Sequence, residues 1–279
     1  IMINIIYAVG LNLILGVAGQ FSLGHAGFIA IGSYSGAILG KMMNGLPGLF
    51  AGMAVGVVIS VIVAFLVGLP TLRLKGDYLA IATLGVAEII RVAVTNMKIT
   101  NGAAGISGVP LTNTWTITYI ALVLTTILIL NYTFSSAGRA TYAVLQDEIA
   151  AESMGVQVTK YKILAFVLGA ATASIGGTLS ATTLGAVTPS DFTFMKSIEV
   201  LIIVVFGGIG SFTGSFVAAI LLGIINLVLQ PFGQLRMIIY AVALILIMIF
   251  RPGGLLGTWE FKLGDFKFSK KKETKESGK

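Results

Sequence analysis

Apolar residues run along this chain in blocks of about twenty, separated by short polar or glycine-rich breaks, near 1–18, 20–40, 49–70, 77–97, 115–132, 161–183 and 234–250. A hydrocarbon core of about 30 Å is crossed by roughly 20 helical residues, so each block predicts a membrane-spanning helix. Between 184 and 233 the pattern changes. A polar patch through Ser190 and Asp191 precedes an apolar run over 198–206, then Gly207, Gly208, Gly210 and Gly214, then an apolar stretch to Leu229. The run over 198–206 covers only part of a bilayer, which predicts a half-helix that turns back at the glycines, with 214–229 returning to the side it came from. Broken backbone survives inside a membrane only where protein or a water-filled cavity satisfies the freed groups. The expected fold is an all-α polytopic transmembrane helix bundle with broken helices, residues 1–257 forming one domain and 258–279 a basic polar tail.

Composition agrees. Hydrophobic residues make up 56% of the 279 and charged residues 10%, against roughly 25% charged in an average soluble domain. Too few charges remain to cover a water-facing surface, and the blocks leave no room for a separate soluble module. The absence of cysteine excludes a disulfide framework and thiolate chemistry, and His25, the single histidine, leaves no imidazole metal centre to build. Net charge is +7, but seven of the 18 basic residues lie after Trp259 and the rest sit near the ends of apolar blocks. That is a topology signal, with no nucleic-acid partner implied. With 133–160 inside, the inner side carries Arg73, Lys75, Arg139, Lys160, Lys162, Arg251 and the tail lysines, thirteen in all, against Lys41, Lys98, Lys196 and Arg236 outside. The tail is therefore expected in the cytoplasm, close to anionic lipid. The chain opens within an apolar block with no readable signal peptide, as expected if its true N-terminus lies upstream.

Glycine numbers 35. Gly32, Gly36 and Gly40 recur every fourth residue, as do Gly52 and Gly56, a spacing that lets helix backbones approach closely and by itself predicts packing alone.

The longest polar insertion is 135–160. Ala140 to Met154 has helix-forming composition without Pro or Gly and predicts one helix outside the lipid. Glu148 and Glu152 stand four apart beside Asp147, an unneutralised like-charge cluster, and Leu145 and Ile149 form an adjacent apolar stripe. Surface-lying amphipathic helices are normally basic on their polar face, so this acidic one, bounded by Gly138 and Gly155, predicts a docking element for a cytoplasmic partner.

These residues carry a resemblance. Gly138-Arg139-Ala140, then Asp147-Glu148-Ile149-Ala150-Ala151-Glu152 and Gly155, resemble the cytoplasmic coupling loop of bacterial ABC-importer permeases, in the version of the LivM-type branched-chain amino acid permeases. Four further stretches agree in order: Gly10-Leu11-Asn12-Leu13 with Gly19 to Ala26, Asp77 to Leu84 with Glu88 to Arg91, Gly207 to Ser211, and Arg251 to Leu255. The resemblance implies coupling roles for Gly138, Arg139, Asp147, Glu148, Ala151, Glu152 and Gly155. It also implies two cytoplasmic ABC ATPase subunits, a second related permease subunit and an extracytoplasmic substrate-binding protein, in a bacterial plasma membrane. ATP and Mg would be used on the ATPases, with no cofactor bound by this chain. A P-loop is missing, because Gly40-Lys41 has Ser35 where the first glycine belongs and Met42 after the lysine.

Ionisable residues inside lipid are functional candidates by default. Glu88 and Arg91, three apart, can form a structural pair or meet substrate. Glu199 is expected to begin the half-helix, where an acid favours the helix dipole, or to face a path. His25, following Ser22 and Gly24, can line a translocation path or hydrogen-bond a neighbouring carbonyl. Ser22, His25, Glu88 and Glu199 are thus the candidate path residues, and no metal site is expected. Scarce buried carboxylates argue against ion-coupled carriage. The reading is a permease subunit translocating Leu, Ile or Val by alternating access driven by partner ATPases, its loop helix moving spans 115–132 and 161–183. A sugar or nucleoside permease of the same superfamily and an ion or solute channel are the competing readings.

Overall fold

The computed structural model describes residues 1–43, 45–71, 74, 76–229, 239, 242, 253–255 and 257. The expected span over 234–250 and the tail over 258–279 lie outside the described residues.

Helices dominate: α1 (Met2–Asn12), continued by a π-helical turn over Leu13–Val17, α2 (His25–Met42), α3 (Leu46–Thr71), α4 (Asp77–Asn96) and α5 (Trp115–Phe134). After them come α6 (Ser136–Gln146), α7 (Glu148–Ser153), α8 (Val158–Leu184), α9 (Phe194–Gly207) and α10 (Phe212–Leu229). Among the described residues α3, α4, α5 and α8 are each long and apolar enough to cross a membrane, and the bent pair α9–α10 makes a fifth candidate.

The centre of the bundle is α2 against α3 and α8, and small residues set it. On α3 the buried positions Gly48, Gly52, Gly56, Ser60, Ala64 and Gly68 recur every fourth residue. The opposite face presents Val58, Ile62 and Leu66 outward, as a lipid-facing helix should. A Cβ on Gly52 would meet the backbone of Gly36, and one on Gly56 would meet Ser174 Oγ at 2.9 Å. The glycine spacing read from the sequence is therefore used for helix contact. Polar groups inside this core bridge helices, with Ser33 Oγ donating to Gly177 O at 3.0 Å and Thr178 Oγ1 to Gly32 O at 2.9 Å.

Three expectations change. The block over 20–40 becomes helical only at His25, because Gly19 takes φ +66° and ends the preceding turn; Gln20 N donates to Ile14 O at 3.0 Å. The half-helix begins at Phe194, so Glu199 sits in its second turn instead of at its start. The loop helix over 140–154 is two helices, broken at Asp147 (φ −157°, ψ 111°). An aspartate can offer its side chain to the backbone in place of continuing the helix, and here it does. The break at the glycines is found: the chain turns through 119° between α9 and α10, the geometry of a broken span or a re-entrant loop. On the far side of the bundle from α6 and α7, a short antiparallel pair, β1 (Ile106–Ser107) with β2 (Ala186–Val187), ties the α4–α5 and α8–α9 connections together.

Candidate functional site

The segment over 135–160 is an elbow locked at each joint. Ser135 caps α6 by accepting from Gly138 N at 3.2 Å, and Arg139 Nη1 donates to Phe134 O at 3.0 Å, a cation on the carbonyl end of α5. Gly138 is buried with the carbonyl oxygens of Tyr132 and Thr133 against its α-carbon, so no side chain fits there. Asp147 Oδ1 accepts from Ile149 N at 2.9 Å and Ala150 N at 3.0 Å, capping α7. At the other end Val156 N donates to Ala151 O at 3.0 Å and Gly155 N to Glu152 O at 2.9 Å, with Gly155 at φ +82°, the double bond pattern of a Schellman ending. A six-residue helix has little intrinsic stability, and these two caps hold it.

The elbow meets the bundle at three places. Tyr132 Oη and Thr141 Oγ1 share a 2.6 Å hydrogen bond between α5 and α6. Glu148 pairs with Lys162 on α8, so the acidic cluster is partly neutralised, contrary to the expectation from sequence. Leu145 lies over Gly19, where an added Cβ would stand 2.5 Å from Leu145 Cδ1. Beside it Gln20 Nε2 donates to Lys162 O at 3.0 Å. Ala151 is buried, while Glu152 is exposed, as are Ile149 (76%) and Met154 (84%), which leaves an apolar and acidic tip open.

The four candidate path residues lie on three elements, Ser22 and His25 at the entry to α2, Glu88 on α4 and Glu199 on α9, with Tyr7 near both His25 and the Lys196–Glu199 pair, its ring 5.8 Å from Lys196 Nζ. Ser22 is buried and accepts from Gly24 N at 3.3 Å, a local turn bond. Glu88 pairs with Arg91 on the exposed side of α4, the structural alternative the spacing allowed. Glu199 pairs with Lys196 at 2.9 Å and borders a small cavity with Asn4 and Asn226. His25 is fully buried at the start of α2; its ring lies beside the Tyr7 backbone, yet among the described residues neither nitrogen meets a partner in hydrogen-bond geometry.

Asn12, part of the Gly10–Leu13 motif but not one of the candidate site residues, has a structural role of its own. Its side chain, fully buried, donates to Ser211 O at 2.9 Å and Ser215 Oγ at 3.1 Å and accepts from Gly210 N at 2.9 Å, clasping the turn between α9 and α10. From the other side Leu255 N donates to Phe206 O at 2.8 Å, and Gly254 packs on Gly208. An amide in the middle of an apolar block, as Asn12 is and Asn4 near its start is not, was the available signal, since a buried polar group needs a partner.

The model of a family described as "Branched-chain amino acid transport system / permease component" matches residues 1–250. The chain belongs to this family. The LivM permease of the high-affinity branched-chain amino acid transport system of Salmonella typhimurium is 37% identical over 290 aligned residues, covering 91% of this chain and 68% of that protein. The Escherichia coli K12 LivM is 36% identical over the same shares. The LivH permease of Escherichia coli K12 is 25% identical, covering 90% of each chain. No solved structure matches. This permease thus resembles LivM more than LivH, as the motif over 138–155 indicated, and it is a multi-pass membrane protein.

Proposed function

We propose that this permease is a membrane subunit of an ABC importer that carries leucine, isoleucine or valine into a bacterial cell. Two cytoplasmic ATPases, a second related permease subunit and an extracytoplasmic binding protein complete the machine, and ATP and Mg are consumed on the ATPases. The observation that carries this reading is the elbow: a doubly capped short helix on a branched-chain permease, presenting Ile149, Glu152 and Met154 to solvent. Exposed apolar side chains beside an acid that has no ion-pair partner among the described residues suit a protein groove better than water.

The elbow and the tail face the cytoplasm in this account. Gly138, Arg139, Asp147 and Gly155 set the shape of the elbow, Ala151 and Glu148 seat it, and Glu152 faces the ATPase. Closure of the ATPases would push the elbow, moving α5 through Tyr132 and Thr141 and α8 through Glu148 and Lys162. Leu145 and Gln20 add a route to the non-helical segment over 19–24, next to His25. The apolar interior suits weak passage of an apolar amino acid.

Cysteine cross-linking tests the assignment, because the chain has no native cysteine. Ile149→Cys is expected to cross-link to an ATPase subunit carrying cysteines along its permease-facing groove, in membranes from cells expressing the whole transporter. Absence of any ATPase adduct from Ile149→Cys and Glu152→Cys alike would remove the basis of the proposal.

A further inference from the structure

On the outside of the bundle, α3 and α8 leave a groove of about 870 Å³ between them. Its walls are apolar: Ile62, Phe65 and Leu66 from α3, with Ile163, Leu164 and Val167 from α8. One end is polar, formed by Gln157, Thr159 and Lys160 where α8 begins. At 1.5 Å per residue, Ile163 to Val167 lie about 5–10 Å deeper than that end. The groove therefore starts at the membrane surface bearing the elbow and runs into the nearer half of the bilayer.

The polar end is positive and uncompensated. Lys162 is taken by Glu148, whereas Lys160 has no carboxylate partner among the described residues and only the Tyr161 ring nearby, 5.9 Å from its Nζ. A cation in the first turn sits at the unfavourable end of the helix dipole, and Gln157 supplies no side-chain cap there. Among the described residues no acidic side chain lines the groove. An occupant that fits must therefore bring both an apolar chain for the walls and a negative charge for this ammonium, which an anionic lipid does in one molecule.

We propose that the groove binds an anionic phospholipid, one acyl chain lying along Phe65 and Leu164 and the phosphate resting on Lys160, with Gln157 and Thr159 donating hydrogen bonds. Basic ends of grooves between membrane helices suit such headgroups. Lys160 follows Gly155 by five residues, so the bound lipid pins the joint between the elbow and α8. The proposal rests on the orientation assumed under Proposed function only for naming the leaflet as cytoplasmic.

The test uses the full chain in phosphatidylcholine nanodiscs doped with a diazirine-bearing acyl probe, either phosphatidylglycerol or phosphatidylcholine, with adducts mapped by mass spectrometry. The phosphatidylglycerol probe is expected to label the Phe65–Leu66 and Ile163–Leu164 peptides at least fivefold more than the phosphatidylcholine probe. Lys160→Gln should bring it down to the phosphatidylcholine level, Lys160→Arg should retain the preference, and Leu164→Trp should remove labelling by both probes. Equal labelling by the two probes, or a preference that survives Lys160→Gln, would overturn the proposal. So would loss of labelling when co-purified partner subunits are present, since a protein would then cover the groove. Ile149→Cys cross-linking to the ATPase is read separately, so failure here and failure of the transport assignment remain distinguishable.

Discussion

Asn12 and Gly210 lie 198 positions apart in the chain and are joined by a 2.9 Å hydrogen bond from the Gly210 amide to the Asn12 side-chain oxygen. One carboxamide thereby satisfies backbone freed by the turn between two membrane helices, and it does so from a helix that itself loosens into a π turn one residue later. π turns inside helices often mark functional places. Here the turn lets Gly16 approach Gly210 within backbone contact.

Replacing Asn12 by Leu leaves the part-buried Gly210 amide without its acceptor and Ser211 O and Ser215 Oγ without their donor. The expected loss is about 1–3 kcal/mol of stability, read as a lower unfolding midpoint in detergent. Asn12→Asp keeps the acceptor but loses both donated bonds, so it should also destabilise; a midpoint equal to wild type in both variants would show that the turn holds itself.

The two glycines bounding the elbow should differ in their response to alanine. Gly138→Ala drives a methyl into the Tyr132 and Thr133 carbonyls and cannot be accommodated without opening the α5–α6 turn. Gly155→Ala meets nothing within 4 Å and suffers only its positive φ, about 1–2 kcal/mol. Limited proteolysis of the loop should be accelerated far more by Gly138→Ala, and the reverse order would contradict the described turn.

Glu148 and Lys162 are partly exposed, the lysine less than the acid, so their coupling is expected to be modest, about 0.5–1 kcal/mol in a double-mutant cycle, and weaker at high salt. Zero coupling at low salt would mean that the pair does not hold α7 to α8.

Orientation is checked in intact cells. Ser153→Cys should be protected from a membrane-impermeant maleimide and Lys98→Cys should react. The opposite pattern would invert the topology.

Much of the fold is legible because apolar length and glycine spacing are local: Gly52 and Gly56 announce their contacts in the sequence alone. The break at Asp147 is not legible from helix propensity, since the residue is read as one of three acids until its side chain is seen on the α7 amides. Glu148 looks unneutralised for a related reason, its partner Lys162 lying fourteen residues on, across a turn. The Asn12 clasp depends on a contact nearly 200 residues away, which no periodicity contains. The candidate path residues fared differently: being ionisable in an apolar block marked Glu88 and Glu199 for attention, but Arg91 and Lys196 three residues away absorb both.

The central claim is that an ATPase drives leucine passage through the exposed tip of the elbow. Its most direct test is [3H]leucine uptake into proteoliposomes holding the whole transporter, with Glu152→Arg against wild type. ATP-dependent uptake and transport-linked ATP hydrolysis should both fall at least tenfold while the variant chain remains inserted. Undiminished uptake by Glu152→Arg, or uptake by wild type with the ATPase subunits omitted, would contradict it.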